Sequence, residues 1–261
     1  MSITAAIRVF DPRTQCLHNG GRGRSSIHWD DIAAMLARVE SDNPVGYQLL
    51  MTLYRGDTEQ EKALRSNLRV WANSKNANRS DIVQIVCQIT LDVMLRRPLT
   101  PQKRNLRHLH RLHGGYARRE ANRILKLKAI LRRERLKPES PEQYDRIHYL
   151  EQQISGAKRG INDWVYAHSD ASTRCPRCKG TGTIVLPDHG QCPACAGHGW
   201  FKPSRHDIRR HIAEHVTSMA TASEITKYLP LMDECRAWLS DQIGTSIDKL
   251  DELFDANMEA C

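Results

Sequence analysis

Phe, Trp and Tyr make up only 6% of this 261-residue sequence, and alternating runs of Val, Ile, Thr and Tyr are hard to find. That scarcity argues against a sheet-based fold and leans towards helices. No apolar run nears the roughly 18 residues needed to cross a bilayer. The opening Met1-Ser-Ile-Thr-Ala-Ala-Ile-Arg8 lacks the basic-then-apolar order of a secretory signal. A cytoplasmic protein without a membrane partner is expected. Also missing are a P-loop, a nucleophile elbow and an H-E-x-x-H run. Acid pairs such as Asp30-Asp31 and Asp251-Glu252 read as solvated charge on helix faces. No catalysis and no small-molecule substrate are expected.

Charge is abundant but unevenly placed. The chain carries 39 Lys and Arg against 30 Asp and Glu, a net of +9. From Arg96 to Lys137 there are 15 bases and two acids (Glu120, Glu134), a local net of +13. From Glu224 to Cys261 nine acids meet three bases, a net of −6. Residues 1–95 and 138–223 each come to +1. Such a dense basic segment concentrates the phosphate-neutralising charge that nucleic-acid affinity needs.

Turn residues and apolar spacing divide the chain into five pieces. Residues 1–26, with Asp11-Pro12 and Gly20-Gly21-Arg22-Gly23, read as an N-terminal arm. Residues 27–97 read as a helical bundle. Its stripes are Trp29, Ile32, Leu36 and Val39, then Val45 to Tyr54, then Asp57 to Trp71, and a fourth helix capped by Ser80 and closed by Pro98. Residues 98–139 read as basic helices, the first opening at Thr100-Pro101 and ending at Gly114-Gly115. That helix places Arg104, Arg107, His108 and Arg111 on one face; Arg119 and Arg123 follow on the next. These five arginines are candidate nucleic-acid contacts. Residues 140–223 begin with the capping box Ser140-Pro-Glu-Gln143 and a long helix carrying Ile147, Leu150, Ile154, Ala157, Ile161 and Trp164. There Gly156 and Gly160 leave room for a neighbouring backbone. Residues 224–261 form the acidic C-terminal helices.

Of eight cysteines, Cys16, Cys87, Cys235 and Cys261 are scattered, and Cys87 and Cys235 fall in apolar helical patterns as small buried hydrophobes. The other four form a repeat. Cys175-Pro-Arg-Cys178-Lys-Gly-Thr-Gly182 recurs 17 residues later as Cys192-Pro-Ala-Cys195-Ala-Gly-His-Gly199. Each C-x-x-C turn puts two thiolates on one side of a tight loop, and two facing turns supply the four soft ligands of one closed, structural Zn2+ site. The glycines let the chain turn back after each second Cys. A redox C-x-x-C would stand alone at a helix start in a βαβ setting, and a catalytic zinc would need an open position. His189, His198 and His206 stand near enough to substitute for a ligand, although the spacing does not require them. Thr183 to Leu186 reads as a short strand and Pro187 to Gly190 as its turn.

The doubled C-x-x-C-x-G-x-G is similar to half of the cysteine-rich domain of DnaJ-type co-chaperones. The J-domain His-Pro-Asp and a following β-rich domain are missing. A closer resemblance lies in the flanks. Trp200-Phe201, the linker Lys202-Pro203-Ser204 and the basic helix from Arg205 follow the second knuckle. The tail adds Tyr228-Leu-Pro-Leu-Met232 and an apolar stripe to Leu250. With these, residues 145–255 resemble the lambda-type phage late antitermination protein Q family. The first 140 residues depart from that pattern.

The resemblance implies a mainly α fold in which a small four-cysteine zinc finger interrupts a helix-turn-helix-like DNA-binding unit. It also implies double-stranded DNA at a late promoter, host RNA polymerase and its sigma factor as partners, in a bacterial host cell, with terminator read-through as the outcome. Independently, Ser204 is a good N-cap, and Lys202, Arg205, Arg209 and Arg210 gather cations at a helix start, where phosphates and guanine edges are favoured. Ile208, Ile212 and Val216 form that helix's apolar side. Two alternatives stay open. One is a zinc-containing nucleic-acid-binding regulator without polymerase contact; the other is a DnaJ-like protein-interaction module.

Overall fold

The computed structural model describes residues 29–75, 78–184, 190–216 and 219–259. The expected N-terminal arm, Cys16, Cys261, His189, and the strand-and-turn residues 185–189 lie outside them. Among the described residues the fold is mainly helical, with one two-stranded sheet, and the chain divides into two compact units. One comprises Met1–Leu91 with Ile212–Cys261, and the other Asp92–His211. Among the described residues no helix is long and apolar enough to cross a membrane.

The first unit contains α1 (Trp29–Asp42), α2 (Pro44–Arg55), α3 (Thr58–Asn73), most of α4 (Ser80–Met94), α9 (Ala222–Tyr228) and α10 (Leu231–Glu259). Asn43 caps α2 and Asp57 caps α3 through their side-chain oxygens. The acidic C-terminal helix α10 packs on α2 and α1, and Leu250 enters the core of Met35, Leu36, Val39, Leu50 and Met51. Cys87 and Cys235 are fully buried, as expected.

The second unit is built on α5 (Thr100–His113), α6 (Gly115–Glu134) and α7 (Pro141–Ala171). With 31 residues, α7 runs for about 46 Å at 1.5 Å per residue. Its N-terminal half pairs with α6 along the seam Ile124, Leu131, Leu150, Ile154 and Ala157, and its C-terminal half pairs with α5. The expected 3-4 stripe on α7 is this seam. Ser140 caps α7 by accepting from Gln143 N at 3.2 Å. The Gln143 side chain does not return to the cap, however. Its Nε2 donates to the Glu134 and Lys137 carbonyls at 2.7 and 3.0 Å, closing the end of α6. The cap of α5 falls one residue before the expected Thr100, at Leu99, whose N–H donates to Gln102 Oε1 at 3.0 Å. Among the described residues no backbone uses the Gly156–Gly160 gap: space beside Gly156 is open, and the Tyr116 hydroxyl fills that beside Gly160.

Where α5 crosses α7, His110 is 8% exposed, and among the described residues neither ring nitrogen has a hydrogen-bond partner. Trp164 meets it edge-on at 5.6 Å between ring centres, and His168 stands 6.0 Å away. Arg107 and Arg111 flank it on α5, and Tyr116 of α6 packs on Trp164. Burial, then the neighbouring His168, pushes the His110 imidazole below its ordinary value of 6.5. The folded chain therefore prefers neutral His110, while the unfolded chain takes up a proton below that ordinary value. Stability is full above about pH 6.5 and falls as the pH drops through it. Urea midpoints at pH 7.5 and 5.5 are expected to show this loss, and His110→Leu is expected to shrink it. An equal loss in both proteins contradicts this account of His110.

Candidate metal centre

The two cysteine turns are copies of each other down to individual bonds. In each, the residue after the second Cys is left-handed (Lys179 φ 53°, Ala196 φ 48°), followed by glycines at positive φ, Gly180 and Gly182 in one and Gly197 and Gly199 in the other. The residue before the first Cys folds its side chain over the turn. Arg174 Nε donates to the Lys179 carbonyl and Gln191 Nε2 to the Ala196 carbonyl, each at 2.7 Å. Reciprocal backbone bonds lock the copies together: Cys175 N–H to the Gly199 carbonyl at 2.9 Å, and Cys192 N–H to the Gly182 carbonyl at 2.8 Å. A Cβ on Gly182 would strike the Gly197 carbonyl, and one on Gly199 the Gly180 carbonyl. Glycine is thus required by both backbone angle and space. The short strands β1 (Thr183–Ile184) and β2 (Gly190–Gln191) pair antiparallel between the turns.

This symmetry brings all four thiols together. Cys175 and Cys192 are 0% exposed, and Cys178 and Cys195 are 6% exposed. Their sulfurs all lie within 4.8 Å of one another. Cys175 Sγ stands 3.9 Å from Cys192 Sγ, and Cys178 Sγ 3.7 Å from Cys195 Sγ. A disulfide needs about 2.05 Å. Four thiolates around a tetrahedral ion with bonds of about 2.3 Å have edges of about 3.8 Å. The observed spacing matches the second figure, so the group fits a structural metal ion with its coordination shell closed by sulfur.

The electrostatics point the same way. Burial, the largest influence, pushes the Cys175 thiol up to about 12. Burial alone would also raise Cys178, but backbone N–H groups of Gly182 and Gly180, with the Cys175 and Cys195 thiols, bring it to about 7. Four neighbouring sulfurs cannot all ionise in a buried space without a cation, and a divalent ion removes that penalty. Gly199 N–H also donates to Cys195 Sγ at 3.2 Å. His198 and His206 are exposed and lie outside the four-sulfur group.

Three contacts fix the finger to the helices of its unit. Thr173, just after α7, donates to the Arg96 carbonyl through its N–H at 2.9 Å and its hydroxyl at 3.0 Å. Arg96 is left-handed (φ 56°) and lays its guanidinium 4.7 Å from the Trp200 ring centre. Gln102 Nε2 of α5 reaches the Phe201 carbonyl at 3.4 Å. Sequence reasoning did not single out Arg96, Gln102, Thr173, Arg174 or Gln191. For Arg174 and Gln191 the signal was their shared offset from the two turns.

A family model described as conserved hypothetical protein CHP02642 matches residues 1–256. The chain belongs to that family. No curated protein and no solved structure matches it.

The expected DNA-reading residues sit at the start of α8 (Arg205–His215), where Arg205, Arg209 and Arg210 are exposed and Ile208 and Ile212 are buried. Ser204 is engaged as the cap. Its hydroxyl accepts from Asp207 N–H at 3.1 Å and donates to Asp207 Oδ2 at 2.7 Å, and its own N–H donates to the same carboxylate. That carboxylate serves the helix N-terminus. Lys202 Nζ lies 5.5 Å from the Trp200 ring centre.

The five arginines of α5 and α6 divide into two groups. Arg107 reaches Asp170 at 3.4 Å and stacks 4.2 Å from the Tyr166 ring centre. Arg111 donates to Asn162 at 3.2 Å, and Arg123 to Gln153 at 3.0 Å and Glu120 at 3.3 Å. These three hold helices together. Arg104 and Arg119 are exposed, and among the described residues neither has a hydrogen-bond or ion-pair partner.

Proposed function

We propose that residues 92–211 form a duplex-DNA-binding module organised by one structural Zn2+, and that the chain acts as a transcription antitermination factor. The observation that carries DNA binding is the way charge follows the fold. The unit Asp92–His211 holds 25 Lys and Arg against 11 Asp and Glu, a net of +14, while the rest of the chain comes to −5. The metal-ordered finger lies within the basic unit, and the arginines of α8 follow directly on it. Four thiolates in a closed tetrahedral shell favour zinc over the harder divalent ions. The step to RNA polymerase and a late promoter rests on the resemblance of residues 145–255 to the Q family alone.

Replacing Arg205, Arg209 and Arg210 together with Ala is expected to weaken duplex binding at least tenfold in fluorescence anisotropy. Unchanged affinity rejects α8 as the reader. A terminator read-through assay with purified bacterial polymerase then separates an antitermination factor from a regulator without polymerase contact.

A further inference from the structure

Helix α6 carries two opposite lines of residues. Ala117, Ile124 and Leu131, seven apart, are buried along the side that faces α7. Two residues beyond each stand Arg119, Lys126 and Arg133, about 200° further round a helix of 3.6 residues per turn. All three are exposed, and among the described residues none has a hydrogen-bond or ion-pair partner. The two acids of α6 are already occupied, Glu120 with Arg123 and Glu134 with Lys137. The result is a straight ridge with one cation about every 10.5 Å over about 21 Å.

We propose that this outer face of α6 grips the phosphate backbone of a nucleic-acid duplex without reading its sequence. The proposal rests on the reading of the basic unit as a DNA-binding module and adds a second contact to α8. The chemistry of the face selects the partner. Between the cations lie Asn122, Arg123, Ala129 and Ile130, none of them aromatic, so the ridge offers no stacking platform for the bases of a single strand. The long apolar line of α6 is spent in the seam with α7, and its two large exposed apolar residues, Leu125 and Ile130, are too few to form the continuous apolar face by which a helix enters a membrane surface. A protein interface would need buried aromatic or aliphatic anchors at its centre. Evenly spaced charge on a straight rod instead matches a linear polyanion carrying one charge per roughly 1.7 Å of axis.

The test uses full-length, metal-loaded protein and a duplex of random sequence, with affinity followed by anisotropy at rising salt. R119Q/K126Q/R133Q is expected to flatten the slope of log K against log salt by about 2.7, at about 0.9 for each lost phosphate contact. R119K/R133K, which keeps the charges, is expected to retain the slope. Thermal melting identifies variants that are folded. If the triple variant does not fold, K126Q alone is expected to lose about 0.9 of slope. An unchanged slope in either folded Gln variant, with α8 still required for binding, overturns the α6 assignment alone. Absence of any duplex binding by the unaltered protein overturns both this contact and the DNA-binding reading.

Discussion

Cys178→Ser is expected to release the metal and unfold the finger between Thr173 and Phe201. Apart from its backbone bonds and a few contacts to its unit, the finger has little apolar packing to hold it. Its sheet is two residues per strand, and among the described residues the apolar neighbours of the sulfurs are the partly buried Ile184, Ala194 and Phe201. A core that small does not repay the chain entropy of so many ordered residues, so binding energy from the metal becomes folding energy. A serine hydroxyl at this position keeps its proton at neutral pH and cannot act as the fourth soft ligand. Metal analysis should find less than half an equivalent in the variant. Trypsin should cut rapidly at Arg174, Arg177 and Lys179, which the intact finger holds in tight turns. Chelation of the unaltered protein should give the same cleavage. A variant that keeps a full equivalent of metal and resists trypsin contradicts the four-sulfur site.

The second large effect belongs to the other unit. Gly46→Val is expected to destabilise it by about 3 kcal/mol, the upper range for overpacking a tight contact. Gly46 of α2 is buried where α10 passes, and a Cβ there would meet the Gln242 carbonyl and the Ser246 hydroxyl. Asn43 secures the same crossing by donating to the Gln242 carbonyl at 2.8 Å. Backbone atoms cannot rotate aside, so relief requires α2 and α10 to separate, which opens the core that Leu250 enters. Gly244→Ala is the control. Gly244 lies in the interior of α10 with open space beside it, so alanine is expected to be neutral or to stabilise by up to about 1 kcal/mol. Urea midpoints followed by circular dichroism measure both; an unchanged midpoint for Gly46→Val rejects the close crossing.

Local patterns carried most of what was legible in the sequence. The 3-4 stripe from Ile147 to Trp164 reports a helix face, and the 17-residue repeat of Cys and Gly reports two matching turns. Both signals lie within a few helical or loop turns, where periodicity and backbone angle are decided. What stayed hidden depends on distant partners. Arg107 and Arg119 look alike in the sequence, yet Asp170 and Tyr166, far along the chain on α7, draw Arg107 inward. Arg96 gives no sign that it will take a glycine-like conformation and offer its carbonyl to Thr173. Gly160 signals a close approach but not its agent, a tyrosine hydroxyl. The acidic tail likewise gives no sign that Leu250 seats it on α1 and α2.

Binding of the unaltered, zinc-loaded chain to duplex DNA, measured across a salt series, tests the central claim most directly. Three cations on α6 and three arginines on α8 together predict that log K falls against log salt with a slope of about −5. No measurable binding at about 50 mM salt, or an affinity indifferent to salt, would contradict a module built to neutralise phosphates.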